Sequence, residues 1–186
     1  MTLLLTEVQR TMDTYDCIRT KLDVREFNSN KKVPAEVKLK ILESARLTGS
    51  AMNSQHWRFI LVQERERLKT LAEDSTTGNW VQGANFAVVV LTGEKHGFQL
   101  IDAGRAVQDM QLAAWNFGVV SCIFTGLNQT AIRRDFAIPQ DLVASVVVGF
   151  GYPAKKITGK NKKRKLLGEL AFIESYDKPF EEQQLS

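Results

Sequence analysis

The chain has 186 residues, a length that suits one sizeable hydrophobic core and is short for two full domains. Hydrophobic residues make up 44% and charged residues 25%, near the average of a globular domain, which excludes extensive disorder. The net charge is +4, but the segment 155–165 alone holds seven basic and no acidic residues, so the remaining chain carries −3 and does not resemble a protein that coats nucleic acid.

The first half of the chain predicts two helices, a strand and a third helix. Helical spacing of apolar residues predicts the first helix. Pro34 suits the first turn of the second helix, Ile41 lies on its apolar face, and Gly49 can end it. The third helix is short and charged. The predicted ranges are 2–17, 34–49, 57–63 for the strand, and 64–73.

The second half predicts three strands and two helices. The strands are apolar and rich in β-branched residues, as buried strands are. A helix with an apolar stripe ends at Gly118, and a shorter helix precedes Pro139. In chain order the ranges are 86–92, 103–118, 119–124, 130–136 and 143–150. Helices interleaved with four strands predict an α+β or α/β sheet covered by helices.

We expect residues 1–186 to form one domain, with a tail at 173–186 that could reach a partner subunit. The first ten residues have no signal-peptide pattern, and no apolar run approaches the ~18 residues of a membrane span. Cys17 and Cys122 belong to no CxxC pair and suggest no metal site. The expectation is a cytoplasmic protein with buried, reduced thiols; a disulfide between them is the less favoured alternative.

Several catalytic motifs are incomplete or absent. Residues 149–154 match GxGxxA after a strand, but lysine-rich sequence rather than a helix follows, so Gly149 and Gly151 are interpreted as a tight exit from the strand. Neither GxxxxGK[ST] nor GxSxG occurs. His96 is expected to be solvated, and His56 to have a structural or lining role, with proton donation as the alternative. With no paired nucleophile and base, a hydrolase has little support.

Three clusters suit the binding of a polar, phosphate-bearing ligand. Lys21, Asp23 and Arg25 alternate, so an extended chain points them to one side. The loop 49–55 is small and rich in amides, which can bind a flat polar ligand. The basic run 162–165 combines lysines with an arginine, as phosphate recognition requires.

Together with other segments, these clusters resemble the FMN-dependent nitroreductase family. The first is similar to the family's RRSxR/RRDxR motif, the second to its APSxxNxQPW loop, and the third to its KxRxPLxE tail. Further matches to DAGxAxQNLxLAAxxxGLG, to a W-I-G turn and to IP…VxxGYP follow in order, so the resemblance covers residues 18–172. The matching segments are 21–25, 48–57, 102–118, 124–126, 138–139, 146–153 and 162–169.

The resemblance implies an α+β, nitroreductase-like fold with a central, mainly antiparallel sheet flanked by helices, in an intertwined homodimer with FMN at the interface. It places Lys21, Asp23, Lys162 and Arg164 at the FMN phosphate and ribityl chain. The loop would come from the other subunit, and the Gly126 N–H would approach flavin N5. The implied cofactor-binding residues are Lys21, Leu22, Asp23, Arg25, Ser50, Ala51, Met52, Asn53, Gln55, Thr125, Gly126, Lys162 and Arg164, with no metal ligand.

The implied activity is a ping-pong oxidoreductase. FMN would accept hydride from NADH or NADPH and reduce a nitroaromatic, quinone or similar conjugated acceptor, without binding nucleic acid or membranes. Alternatives are reductive dehalogenation, flavin fragmentation, or a non-catalytic flavin- or nucleic-acid-binding module that uses segment 155–165. The chain departs from the family motifs at Lys21, Gly49 and His56, where the motifs have Arg, Pro and Pro. Its stretch 64–85 is short, and the resemblance identifies no side-chain partners there for the flavin pyrimidine edge.

Overall fold

The computed structural model describes residues 12–93, 97–159, 162–181 and 183. Within them the helices and strands follow the predicted order. The helices are α1 (Thr14–Thr20), α2 (Ala35–Leu47), α3 (Arg65–Glu73), α4 (Gly97–Asn116) and α5 (Gln129–Asp135). The strands are β1 (Arg58–Val62), β2 (Phe86–Gly93), β3 (Val120–Phe124) and β4 (Leu142–Gly151). Short 3₁₀ turns occupy Ala51–Asn53, Asn79–Gly83 and Leu167–Glu169.

The four strands form one antiparallel sheet in the order β1-β2-β4-β3. At its centre Val88 of β2 lies opposite Val148 of β4, which in turn faces Ile123 of β3. Helices cover both faces, so the predicted α+β fold with an antiparallel sheet flanked by helices is confirmed.

Strand β2 explains how the sheet is covered on both sides. Alternate side chains point to opposite faces of a strand. Phe86, Val88 and Val90 join a core with α2 and α4, while Ala87 and Val89 join a second core with α3 and α5. The central strand is therefore apolar at successive positions, as its uninterrupted sequence predicted.

Element boundaries differ from the prediction in three helices: α1, α2, and α4, which begins at Gly97 rather than at residue 103. The part of helix 2–17 before residue 12 lies outside the described residues, as does His96; the described helix α1 begins after the N-cap Asp13 and continues to Thr20. Helix α2 ends at Leu47 without a left-handed glycine, whereas Gly118 after α4 has φ +69° and ends that helix as expected.

The interpretation of Gly149 and Gly151 as a tight strand exit is wrong. Both lie within β4 and neither has a positive φ. A Cβ at Gly149 would lie 2.7 Å from the Trp80 ring, and one at Gly151 would lie 2.8 Å from Phe27. These glycines let two aromatic rings pack against the strand.

No helix among the described residues has the length and apolarity needed to cross a membrane.

Candidate functional site

The segment 21–25 is extended, as predicted, and lies beside β3. The Val24 N–H donates to the Ser121 carbonyl over 2.9 Å. Gln111 of α4 donates from Nε2 to both Asp23 Oδ1, at 3.0 Å, and Ser121 Oγ, at 3.1 Å. Gln111 is 3% exposed, and because buried amides need partners, it fixes this segment against the sheet.

Three cations from two distant parts of the sequence lie close together at the start of this segment. Lys21 Nζ lies 2.7 Å from Asp23 Oδ1, and Lys162 Nζ donates to the Ile18 carbonyl over 2.7 Å. Burial lowers the pKa of Lys162, and the neighbouring cations Arg164 and Lys21 lower it further. Asp23 is the carboxylate among these four side chains, so the cluster carries excess positive charge and suits an anion.

An open cleft of about 510 Å³ adjoins the cation cluster and shares Asp23 with it. Arg25 lies in this cleft, with Nε 3.5 Å from the Sγ atom of Cys122 on β3. The cysteine is 4% exposed and its thiol is free, as expected, and so is that of Cys17. The cleft is lined by Asp23, Val24, Arg25, Glu26, Cys122, Lys155 and Ile157.

The loop 49–56 follows α2 and has an unusual backbone. Met52, Asn53 and Gln55 have φ values of 52°, 54° and 45°, in the left-handed region that non-glycine residues rarely adopt. Within the loop, the Gln55 N–H donates to Ser50 Oγ over 3.0 Å. Met52 is 88% exposed, so the loop presents an apolar side chain and amide groups to its surroundings.

Helix α4 contacts this loop and the segment 21–25 on opposite flanks. Asp102 accepts the Ala51 N–H over 2.9 Å, and Gln111 holds Asp23. Successive helical residues are rotated by about 100° and rise 1.5 Å. Nine residues therefore separate the two side chains by about half a turn and roughly 13 Å along the axis. Within one chain, the loop and the segment 21–25 therefore lie on opposite sides of α4.

Gly126 follows β3 and is packed against the segment after α3. Its carbonyl accepts the Thr76 N–H over 2.8 Å. A Cβ on Gly126 would lie 2.5 Å from Thr76 Oγ1 and 2.6 Å from Thr77 Oγ1. The preceding Thr125 is exposed. A larger residue at 126 would thus push the two threonines away.

Of the thirteen predicted cofactor-binding residues, eleven fall into two groups in a single chain, while Thr125 and Gly126 follow the end of β3. Lys21, Leu22, Asp23, Arg25, Lys162 and Arg164 lie along one side of the cation cluster and cleft. The loop residues Ser50, Ala51, Met52, Asn53 and Gln55 are held on the other flank of α4. Sequence reasoning missed Asp102 and Gln111, whose signal was two polar residues adjoining the apolar stripe of a core helix.

The chain matches the family model of the nitroreductase family over residues 18–98 and 77–152. A protein of Methanothermobacter thermautotrophicus named "Putative NADH dehydrogenase/NAD(P)H nitroreductase" is 32% identical over 153 residues, which are 77% of this chain and 79% of that protein.

Solved structures show the same fold. A nitroreductase family protein of Clostridium difficile superimposes with a TM-score of 0.79 at 24% identity, covering 88% of this chain and 99% of that one. An FMN-dependent nitroreductase from the same species has a TM-score of 0.72 at 24% identity, covering 78% of this chain and 90% of that one.

Proposed function

Because the chain belongs to the nitroreductase family of oxidoreductases, we propose that it binds FMN between two copies of itself and passes hydride from NADH or NADPH to a conjugated electron acceptor. Bound FMN would supply the redox chemistry, with donor and acceptor using one site in turn by a ping-pong mechanism. The proposal treats residues 1–186 as one domain. Its main support is the convergence of Lys21, Lys162 and Arg164.

The cation cluster fits the phosphate of FMN. A phosphate carries up to two negative charges, and the cluster has three cations against the carboxylate of Asp23. Since burial and like charges lower the pKa of Lys162, a bound dianion would relieve the repulsion and hold the lysine in its charged form. Arg164 adds a planar donor pair that suits phosphate oxygens.

Arg25 and Gly126 are the residues proposed to act on the flavin ring. The Arg25 guanidinium lies in the cleft next to the cation cluster, where a positive charge stabilises negative charge that develops on a reduced ring. Gly126 would direct its backbone N–H to the ring atom that exchanges hydride. Thr76 and Thr77 pack where a side chain on Gly126 would lie, and so fix the glycine backbone.

Two observations support a site that is shared between two copies. The loop 49–56 and the segment 21–25 lie on opposite flanks of α4, so each loop is free to complete the site of a partner. Helices α2 and α4, which pack together, also carry exposed apolar side chains that a second copy could bury. They are Leu39, Leu47, Leu100 and Ile101, each at least 60% exposed. The tail 173–186 is proposed to reach the partner as well.

The openness of the cleft supports the proposed class of acceptor. The cleft is open to solvent in a single chain, and the proposed mechanism needs such access because donor and acceptor must enter and leave in turn. A flat acceptor such as a nitroaromatic or a quinone suits this opening. A nucleic-acid-binding role for segment 155–165 is less favoured, because Lys155 lies 3.3 Å from Glu26 and Lys162 donates to the Ile18 carbonyl.

An absorbance and binding experiment tests the proposal. The purified protein is expected to be yellow, to exchange into added FMN, and to bleach under anaerobic NADH or NADPH. Arg164→Ala should weaken FMN binding about tenfold or more, since a charge-assisted hydrogen bond contributes roughly 1.5–3 kcal/mol. Lys165→Ala removes an adjacent exposed charge and serves as the matched control.

Three outcomes would contradict the proposal. A wild-type protein that takes up no FMN would remove the flavin assignment, and equal losses in the Arg164 and Lys165 variants would reduce the site to nonspecific charge. A monomer in sedimentation that still binds FMN would refute the shared site. Steep loss of oligonucleotide binding with salt would instead favour the nucleic-acid-binding alternative.

A further inference from the structure

We propose that Asp102 is a positioning residue: its buried carboxylate holds the loop 49–56 in the conformation that meets the flavin. This inference rests on the proposed function for its ligand, but its structural part concerns the chain alone. Asp102 lies on α4, outside the loop, and is 3% exposed. It is not one of the residues that the family resemblance assigns to the cofactor.

Both oxygens of the carboxylate are used. Oδ2 accepts the Ala51 N–H over 2.9 Å and lies 3.3 Å from His56 Nε2. Oδ1 accepts from Arg105 NH1 over 3.3 Å. One carboxylate thus contacts residues near the beginning and the end of the loop, and an arginine from the next turn of its own helix. The Ala51 N–H is the main cause that lowers the pKa of Asp102.

The loop needs such an anchor because its backbone is costly. Met52 and Gln55 have positive φ without being glycine, and residues in this region persist only where their surroundings hold them. Inside the loop, the Ser50 carbonyl and the Ser50 hydroxyl accept the N–H groups of Asn53 and Gln55. These bonds shape the turn, but Asp102 fixes it to the rest of the protein.

His56 contributes through its hydrogen bond to Asp102 and its ring contacts. Its Nδ1 is buried and has no hydrogen-bond partner among the described residues. Because the Asp102 carboxylate only accepts hydrogen bonds, His56 Nε2 is the donor of the bond between them. His56 also packs edge-on against Trp57 and Phe98. The histidine thereby joins the end of the loop to the same carboxylate.

Arg105 and Asp109 extend this contact along α4. Arg105 and Asp109 follow Asp102 by three and seven residues and so lie on the same helix face. Arg105 occupies the space beside Gly49, where a Cβ would lie 2.7 Å from NH2. Asp109 accepts the Thr48 hydroxyl. The start of the loop is thus held along two turns of one helix, with Asp102 contacting both ends.

Asp102→Asn is the decisive variant, because asparagine keeps the size of the side chain but has one acceptor oxygen. If that oxygen faces Ala51 and His56, the amide N–H₂ group faces the Arg105 guanidinium; in the opposite orientation Ala51 loses its acceptor. Asp141→Asn is the matched control. It removes the same charge from an exposed position before β4.

The first measurement is hydrogen exchange on the flavin-free proteins. We expect the amides of residues 51–56 to exchange about tenfold faster in Asp102→Asn, with α2 and β1 unchanged, and no change in Asp141→Asn. The second is an FMN titration, in which Asp102→Asn should bind at least about fivefold more weakly while its melting temperature stays within a few degrees of wild type.

The results test the anchoring of the loop and its effect on FMN binding separately. Unchanged exchange in the loop, or faster exchange throughout the protein, would overturn the positioning role. Faster loop exchange with unchanged FMN affinity would overturn its connection to the flavin. Failure of the wild type to bind FMN refutes the proposed function and the flavin connection, while exchange still decides the anchoring. If Asp102→Asn does not fold, His56→Ala must show faster exchange at residues 54–56, and unchanged exchange there overturns the anchoring.

Discussion

The variant Gly159→Ala tests whether FMN binding depends on where the basic segment 155–165 lies, because it should displace the segment and leave its charge unchanged. Gly159 has φ +62°, and a Cβ there would overlap the carbonyl oxygen of Thr20 at the end of α1. The left-handed conformation costs a non-glycine residue about 1–2 kcal/mol. Because the overlapping atom is backbone, no side-chain rotation relieves it, and the segment must move away from α1. Lys162 would then lose its hydrogen bond to Ile18, worth about 1 kcal/mol.

The total loss of about 2–3 kcal/mol predicts a melting temperature roughly 4–12 °C lower for a chain of this length. FMN affinity should fall at least about tenfold, although every cation is still present. Differential scanning calorimetry and FMN titration at fixed protein concentration measure the two effects. Gly83→Ala is the control, since a Cβ there meets nothing within 4 Å. Wild-type FMN affinity in Gly159→Ala would refute the role of this contact.

Two further predictions concern the cores. Ile41→Ala removes a side chain with 0% exposure between α2, α4 and the sheet, and urea denaturation should show a loss of about 2–5 kcal/mol in the free energy of unfolding. Burial, with the Asp135 carboxylate adding to it, raises the pKa of Asp74, so wild-type stability should fall as pH rises from the usual aspartate pKa to the raised value. In Asp74→Asn, stability should no longer fall with pH over that interval, and the variant should be more stable than wild type at neutral pH. Parallel curves of stability against pH for the two proteins would contradict this.

The fold could be predicted further than the site because strands and helices have periodic signals. The apolar run at 86–92 predicts a strand buried on both faces, and β2 is one. The left-handed turn at Met52 has no such signal, since neither glycine nor a turn motif marks it. It is held by Asp102, about fifty residues later. Long-range hydrogen bonds of this kind depend on packing, which a single sequence does not reveal.

The positions of individual charged and polar side chains explain more about the candidate site than the net charge of the chain does. The basic segment 155–165 appeared as one run of seven charges, but Lys155 pairs with Glu26 while Lys162 lies against α1 beside Lys21 and Arg164. Helix α4 likewise appeared as a plain core helix. Its two buried polar residues hold the segment at Asp23 and the loop at Ala51, half a turn apart. The proposed FMN site takes these two parts from different copies of the chain, so removing the proposed contact between copies should abolish FMN binding without unfolding either chain.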